Sequence, residues 1–126
     1  MDDRNLSAEH DTLVLNLAKH LKKRFYQDVR ASAGGFPSPH AIKPGSGSNG
    51  YVPDVTMIAR GSQLNFFEVE TPESLRNSRS GHKWSAIAEH AKARNGKFWI
   101  VVPKGLREEA SARIGELRLD ASVWEI

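Results

Sequence analysis

Three acidic residues lie in or beside apolar sequence, Asp54 in VPDVTMI and both Glu68 and Glu70 in FFEVET. Carboxylates are depleted from β-strands and are rarely buried without a partner. Glu68 and Glu70 are two residues apart, so their side chains share one face of a strand. Carboxylates that converge repel one another, and a bound divalent cation or a raised pKa relieves that repulsion. These residue types could therefore hold Mg²⁺ or Mn²⁺ and activate a water molecule for hydrolysis.

The position of Asp54 depends on the turn between its strand and that of the glutamates. Positions 54 and 68 are symmetric about Gly61. A three-residue turn over 60–62 places Asp54 opposite Glu68, whereas a strict two-residue Gly-Ser turn places it on the other face. In the alternative interpretation, the two glutamates are solvated acids of an edge strand and Asp54 is an ordinary turn residue.

Apolar periodicity and turn signals predict the elements that position these acids. We expect a helix over 7–24, strands over 26–32, 51–60 and 63–71, a helix over 81–95 that ends at Asn95-Gly96, a strand over 97–102, a helix from about 105 and a strand over 122–126. Residues 33–50, rich in Gly, Pro and Ser, predict a loop. The strand–helix–strand order predicts parallel neighbours and the hairpin predicts antiparallel ones. The expected fold class is α/β, a single domain with a mixed β-sheet and flanking helices.

The composition of the chain excludes several classes of protein. The chain has 126 residues, 18 Lys and Arg against 15 Asp and Glu, and no cysteine. This length suits one domain with its own core, and the lack of cysteine excludes disulfides, thiolate nucleophiles and cysteine zinc sites. No apolar run approaches the roughly 20 residues of a membrane span, and no secretory signal is recognised. We therefore expect a cytoplasmic protein with no membrane partner.

The distribution of positive charge favours a polyanionic partner. Basic stretches over 19–43 and 76–97 flank the acidic centre, which is compatible with binding nucleic acid. Each stretch taken alone also fits a solvated helix surface.

The acidic motif resembles that of the PD-(D/E)XK nuclease superfamily, which includes restriction endonucleases and Holliday-junction resolvases. Pro53-Asp54 is followed after fourteen residues by Glu68-Val69-Glu70, with a helix before the motif and a helix and strand after it. The resemblance implies an α-β-β-β-α-β core and metal-dependent hydrolysis of phosphodiester bonds, with DNA as the expected substrate. It also implies that Asp54 and Glu68 bind Mg²⁺ or Mn²⁺, with the Val69 carbonyl and Glu9 of the first helix as further ligands.

Glu70 departs from this pattern, because the superfamily usually has lysine there. Glu70 would then be a further metal ligand or the general base. Lys83 on the next helix would supply the positively charged side chain in place of the usual lysine. We expect phosphate contacts from the 33–50 loop and from the basic helix over 81–95, and the expected nucleic-acid-binding residues are Lys43, Arg76, Arg79, His82 and Lys83. Cutting both strands of a duplex commonly requires two active sites, so a homodimer is a further expectation.

Two other functions remain open. The chain could bind nucleic acid through a nuclease-like fold without catalysis, because the usual lysine is missing. A carboxylate pair could also act on a neutral substrate such as a glycoside, although the basic stretches argue against this. The five histidines form no HxxxH or HxH pair, and GSGSNG lacks the order of a nucleotide-binding P-loop.

Overall fold

The computed structural model describes residues 3–43, 50–77 and 80–126. Its elements are α1 (Asp3–Lys23), β1 (Gln27–Ala31), β2 (Val55–Ala59), β3 (Gln63–Val69), α2 (Pro72–Leu75), α3 (Ser80–Ala93), β4 (Lys97–Val102), α4 (Arg107–Leu117) and β5 (Ser122–Glu125). The five strands form one sheet in chain order, with β1, β2 and β3 antiparallel and β4 and β5 parallel to β3. The predicted α/β class with a mixed sheet and flanking helices is confirmed.

The hairpin of β2 and β3 sets the faces of the central strands. Val55 pairs with Phe67 and Ala59 with Gln63, and the 3₁₀ turn Arg60–Ser62 joins the strands. The turn has three residues, and Gly61 at φ 75° takes the left-handed conformation that glycine accepts without a steric penalty. Of the two turns that the sequence permits, the structure therefore has the three-residue turn.

Two apolar clusters pack on opposite faces of the sheet. On one face, Val14, Leu17 and Leu21 of α1 pack with Phe67 and Val101. On the other face, the helices α3 and α4 cover a cluster with these members: Phe66, Trp84, Ile87, Phe98, Ile100, Ala110 and Ile114. Alternate residues of β4 enter opposite clusters, which explains why its sequence, KFWIVV, is almost continuously apolar. Burying one large apolar side chain contributes about 1.5–3 kcal/mol.

Several boundaries differ from the sequence prediction. Helix α1 begins at Asp3, earlier than expected, and β2 is shorter because Tyr51 instead forms an isolated bridge with Ile42. Ile42 is buried, so this part of the predicted loop contributes to the core, while residues 44–49 lie outside the described residues. The short helix α2, which is absent from the elements predicted from sequence, begins in a capping box between Thr71 and Ser74.

Among the described helices, none is both long and apolar enough to cross a membrane.

Candidate functional site

The three acidic residues singled out from the sequence lie together where β3 ends. Asp54 precedes β2, Glu68 lies in β3 and Glu70 follows it. Extending the register from the pair Val55–Phe67 by one residue places Asp54 opposite Glu68. The exposed fractions of Asp54, Glu68 and Glu70 are 6%, 3% and 6%, so all three are buried. Buried carboxylates need charged or hydrogen-bonding partners, and each of these has a different set.

Asp54 is held by the backbone of β3 and by a histidine of α1. Its Oδ2 accepts a hydrogen bond from the backbone N–H of Val69 at 2.8 Å and lies 3.1 Å from Nε2 of His10. Burial alone would raise the pKa of Asp54, but the bond to His10, the charges of His10 and Lys83, and the Val69 N–H outweigh it and lower that pKa. Asp54 is therefore a carboxylate at neutral pH.

Glu68 is paired with a lysine of α3. The Nζ of Lys83 lies 3.0 Å from Oε1 of Glu68, yet this buried oxygen accepts no hydrogen bond of good geometry, so the contact is an ion pair. Burial and the nearby charge of Asp54 raise the pKa of Glu68 well above its usual value, although Lys83 acts in the opposite direction. Burial would lower the pKa of Lys83, but Glu68 and Asp54 outweigh it and raise that pKa. Lys83 is therefore a charged ammonium beside two carboxyl groups.

Glu70 is bonded to α2 and α3. Its Oε1 accepts from the indole N–H of Trp84 at 2.8 Å, and its Oε2 accepts from the hydroxyl of Ser74 at 2.5 Å. Burial raises the pKa of Glu70 against the opposing effect of these two bonds. Both oxygens of Glu70 thus have donors from the protein itself.

The oxygen atoms around Asp54 and Glu68 are of the chemical type that binds divalent cations. The N–H of Val69 points toward Asp54, so the Val69 carbonyl faces the same edge of β3. The β2 register, extended further, places Pro53 opposite Val69, and proline has no N–H to donate to that carbonyl. Mg²⁺ commonly binds one or two carboxylates and keeps several waters. Within residues 8–43, 50–77 and 81–126, whose side chains are described, no group of three His, Asp or Glu side chains is arranged to hold an ion.

Helix α1 brings a different residue to the cluster from the one expected. Glu9, expected to face the sheet, is exposed, and the next residue, His10, contacts Asp54 instead. Adjacent residues of a helix are about 100° apart, so only one of them can face the sheet end. His10 occupies a position within the apolar stripe of α1, followed by Leu13 and Val14 at helical spacing. A polar residue in such a stripe is the signal that could have identified it.

Three of the residues expected to contact phosphate are exposed. Lys43 and His82 are exposed, and His82 immediately precedes Lys83 on α3. Arg76 is exposed and donates to both oxygens of Glu109, at 2.9 and 3.1 Å. Arg79 lies outside the described residues. Among the expected phosphate-contacting residues that the structure describes, Lys83 is therefore the one placed at the carboxylates.

Comparison with known proteins found no matching family model, no similar curated protein and no similar solved structure. The class defined here is an α/β domain with a mixed five-stranded sheet and a buried cluster of three carboxyl groups at the end of its central strand.

Proposed function

We propose that the protein is a divalent-metal-dependent nuclease that hydrolyses phosphodiester bonds, with DNA as its substrate. One observation carries this proposal: two buried carboxyl groups, Asp54 and Glu68, lie on opposed positions of neighbouring strands with the Lys83 ammonium beside them. The resemblance of Pro53-Asp54 and Glu68-Val69-Glu70 to the nuclease motif supports the same conclusion.

The proposed cation, Mg²⁺ or Mn²⁺, would be held by Asp54, Glu68 and the Val69 carbonyl. When bound, it supplies positive charge to the phosphate and lowers the pKa of a bound water. Asp54 is kept ionised by His10 and is held in place by the N–H of Val69. Lys83 is about one-third exposed, so its ammonium can contact both Glu68 and a phosphate oxygen that arrives from solvent.

The proposed substrate follows from charge and from the chemistry of this cluster. A phosphodiester is an anion whose hydrolysis develops further negative charge, which Lys83 is placed to stabilise. The exposed Lys43 and His82 would add contacts to the nucleic-acid backbone that do not depend on sequence. Cleavage of both strands of a duplex would require two such sites, so the proposal includes a homodimer, acting in the cytoplasm.

Cleavage assays with matched variants test this function. Supercoiled plasmid, linear duplex, a four-way junction, single-stranded DNA and RNA are incubated with the protein in Mg²⁺ or Mn²⁺, with and without chelator. Asp54→Asn and Glu68→Gln should each reduce cleavage on the order of a hundredfold or more, as expected when a preorganised charged group is lost. Glu89→Gln changes an exposed acid of α3 and should cut like the parent. The proposal fails if the parent cuts none of these substrates, or if it cuts equally well in chelator.

A second function, binding of nucleic acid without catalysis, is favoured by a separate observation. His10 lies on Asp54 and Lys83 on Glu68, so the two carboxyl groups have basic partners within the protein. A domain that only binds would retain duplex DNA in chelator and would not cut it in metal. The same panel with a filter-binding assay in chelator distinguishes the two functions.

A further inference from the structure

Glu70 links β3 to both helices that follow it. Its backbone N–H donates to the carbonyl of Val101 in β4 at 2.9 Å, which fixes the residue at the edge of the sheet. Its side chain accepts from Ser74 of α2 through one oxygen and from Trp84 of α3 through the other. A general base or metal ligand must direct an oxygen toward the reacting water, whereas these oxygens are directed at the helices.

Trp84 is the residue through which this link determines the position of α3. Its side chain is fully buried, and the guanidinium carbon of Arg113 in α4 lies 5.6 Å from its ring centroid. Nη2 of Arg113 in turn donates to the carbonyl of Asn77 at 3.1 Å, in the segment between α2 and α3. The indole is therefore packed tightly, and its N–H has a single acceptor, Glu70.

Lys83 is adjacent to Trp84, so the same link fixes where its ammonium lies. Neighbouring residues of a helix are about 100° apart, which allows Trp84 to enter the core while Lys83 faces the end of the sheet. The Nζ of Lys83 reaches Glu68, two residues before Glu70 on the same strand and the same face. Two adjacent residues of α3 therefore contact two glutamates on one face of the β3 segment: Lys83 contacts Glu68, and Trp84 contacts Glu70.

We propose that Glu70 is a positioning residue, which holds α3 through Trp84 and so places the Lys83 ammonium at the reactive carboxylates. This inference rests on the proposed function, in which Lys83 stabilises the charge of the phosphate. It accounts for a glutamate where the nuclease motif usually has lysine: the lysine comes from α3, and the strand residue accepts the hydrogen bond that positions that helix.

The first test measures the accessibility of Lys83 and does not depend on cleavage. An amine-acylating reagent followed by peptide mass spectrometry gives the labelling rate of Lys83, with the exposed Lys92 of α3 as internal control. In Glu70→Gln, the amide oxygen can accept from Trp84 and the amide N–H can donate to Ser74, so Lys83 should label at the parental rate. Glu70→Ala and Trp84→Phe should each raise the labelling of Lys83 several-fold and leave Lys92 unchanged.

The second test separates positioning from metal binding. The affinity for Mn²⁺, measured by electron paramagnetic resonance, should be parental in Glu70→Gln and reduced in Glu68→Gln. Cleavage should also be close to parental in Glu70→Gln but up to about 100-fold lower in Trp84→Phe, because a displacement of about 1 Å in a charged group at the site can reduce the rate by that much.

Two outcomes would overturn the inference. One is a loss of Mn²⁺ affinity in Glu70→Gln as large as in Glu68→Gln, which would make Glu70 a ligand. The other is parental labelling of Lys83 in both Glu70→Ala and Trp84→Phe. If the parent neither binds Mn²⁺ nor cuts nucleic acid, the proposed nuclease fails, while the labelling rates still decide whether Glu70 positions Lys83.

Discussion

The carboxylate of Asp54 accepts the backbone N–H of Val69 at 2.8 Å, a contact from the start of β2 to the end of β3. Asp54 therefore closes the end of the hairpin in addition to carrying a charge in the acidic cluster. A buried N–H without an acceptor is costly, so the structural role alone would favour an acceptor at this position. The two roles can be separated by substitution, because an amide retains the acceptor and lacks the charge.

Asp54→Ala and Asp54→Asn should both be inactive in cleavage, but they should differ in stability. Alanine leaves the buried N–H of Val69 without an acceptor, which should lower the free energy of unfolding by about 1–3 kcal/mol. Asparagine can still accept that N–H through its carbonyl oxygen, so its loss should be smaller. Both variants should lose metal-dependent cleavage. Urea denaturation measures the difference, and equal destabilisation of the two variants would contradict the structural role of the bond.

The ion pair between Lys83 and Glu68 should contribute to stability only as a pair. Lys83→Met leaves Glu68 buried without its cation and should lower the free energy of unfolding by about 1–3 kcal/mol, less than for a fully buried pair because Lys83 is partly exposed. The double variant with Glu68→Gln should lose less than the sum of the two single variants.

A surface ion pair provides the control for this comparison of single and double variants. Arg76 and Glu109 are both exposed, and exposed pairs contribute little to stability. Arg76→Ala should therefore leave the unfolding midpoint in urea nearly unchanged. Additive effects of the Lys83 and Glu68 substitutions would show that their contact has no energetic coupling.

The order of the elements could be predicted from sequence because their signals are local. Strand β4 has the predicted bounds, 97–102, since its apolar run is bounded by Gly96 and Pro103. The parity of the β2–β3 turn could not be decided, because Gly61-Ser62 suits a two-residue or a three-residue turn. In the structure both Gly61 and Ser62 have positive φ, and this choice brings Asp54 opposite Glu68.

The partners of the acids could not be predicted because they depend on how the helices pack on the sheet. Trp84 is fully buried, and its bond to Glu70 depends on the position of α3 along β3, which no local sequence pattern gives. For α1, the apolar stripe gave the buried face to within about one residue. That precision is too low to distinguish Glu9 from His10, which are adjacent on the helix.

Gly96 should be intolerant of a side chain for a reason other than the one suggested by sequence. Asn-Gly at the end of a helix is typical of a left-handed conformation, and Asn95 has that conformation, with φ 54°. A Cβ at Gly96 would lie 2.6 Å from the carbonyl oxygen of Leu64 in β3, which is backbone that cannot easily move. Gly96→Ala should therefore lower the free energy of unfolding by about 1–3 kcal/mol.

Gly34 provides the matched control for that substitution. A Cβ at Gly34 would meet nothing within 4 Å, and its φ is not positive. Gly34→Ala should therefore be neutral or stabilise by up to about 1 kcal/mol. Thermal unfolding followed by circular dichroism compares the variants, and equal midpoints for the two alanines would contradict the close approach at Gly96.

The contact between His10 and Asp54 should make stability depend on pH in a defined direction. The bond to Asp54 raises the pKa of His10 above its ordinary value of 6.5, against the opposing effect of burial. A histidine whose pKa is higher in the folded state stabilises the fold fully below its unfolded pKa, and this contribution is lost as the pH rises through the folded pKa. Below pH 6.5, His10→Gln should therefore be less stable than the parent by about 1 kcal/mol, and the difference should shrink above that pH.

Urea denaturation at about pH 5.5 and about pH 8.5, on either side of the ordinary histidine pKa, measures this difference. His40→Gln, at an exposed position far along the chain from α1, controls for the general effect of removing a histidine. The parent should lose its advantage over His10→Gln at the higher pH, because neutral His10 no longer offers Asp54 a charged donor. An advantage that grows with pH would show that His10 stabilises the fold as a neutral ring, and that the ionised form of Asp54 is maintained by Val69 and Lys83 instead.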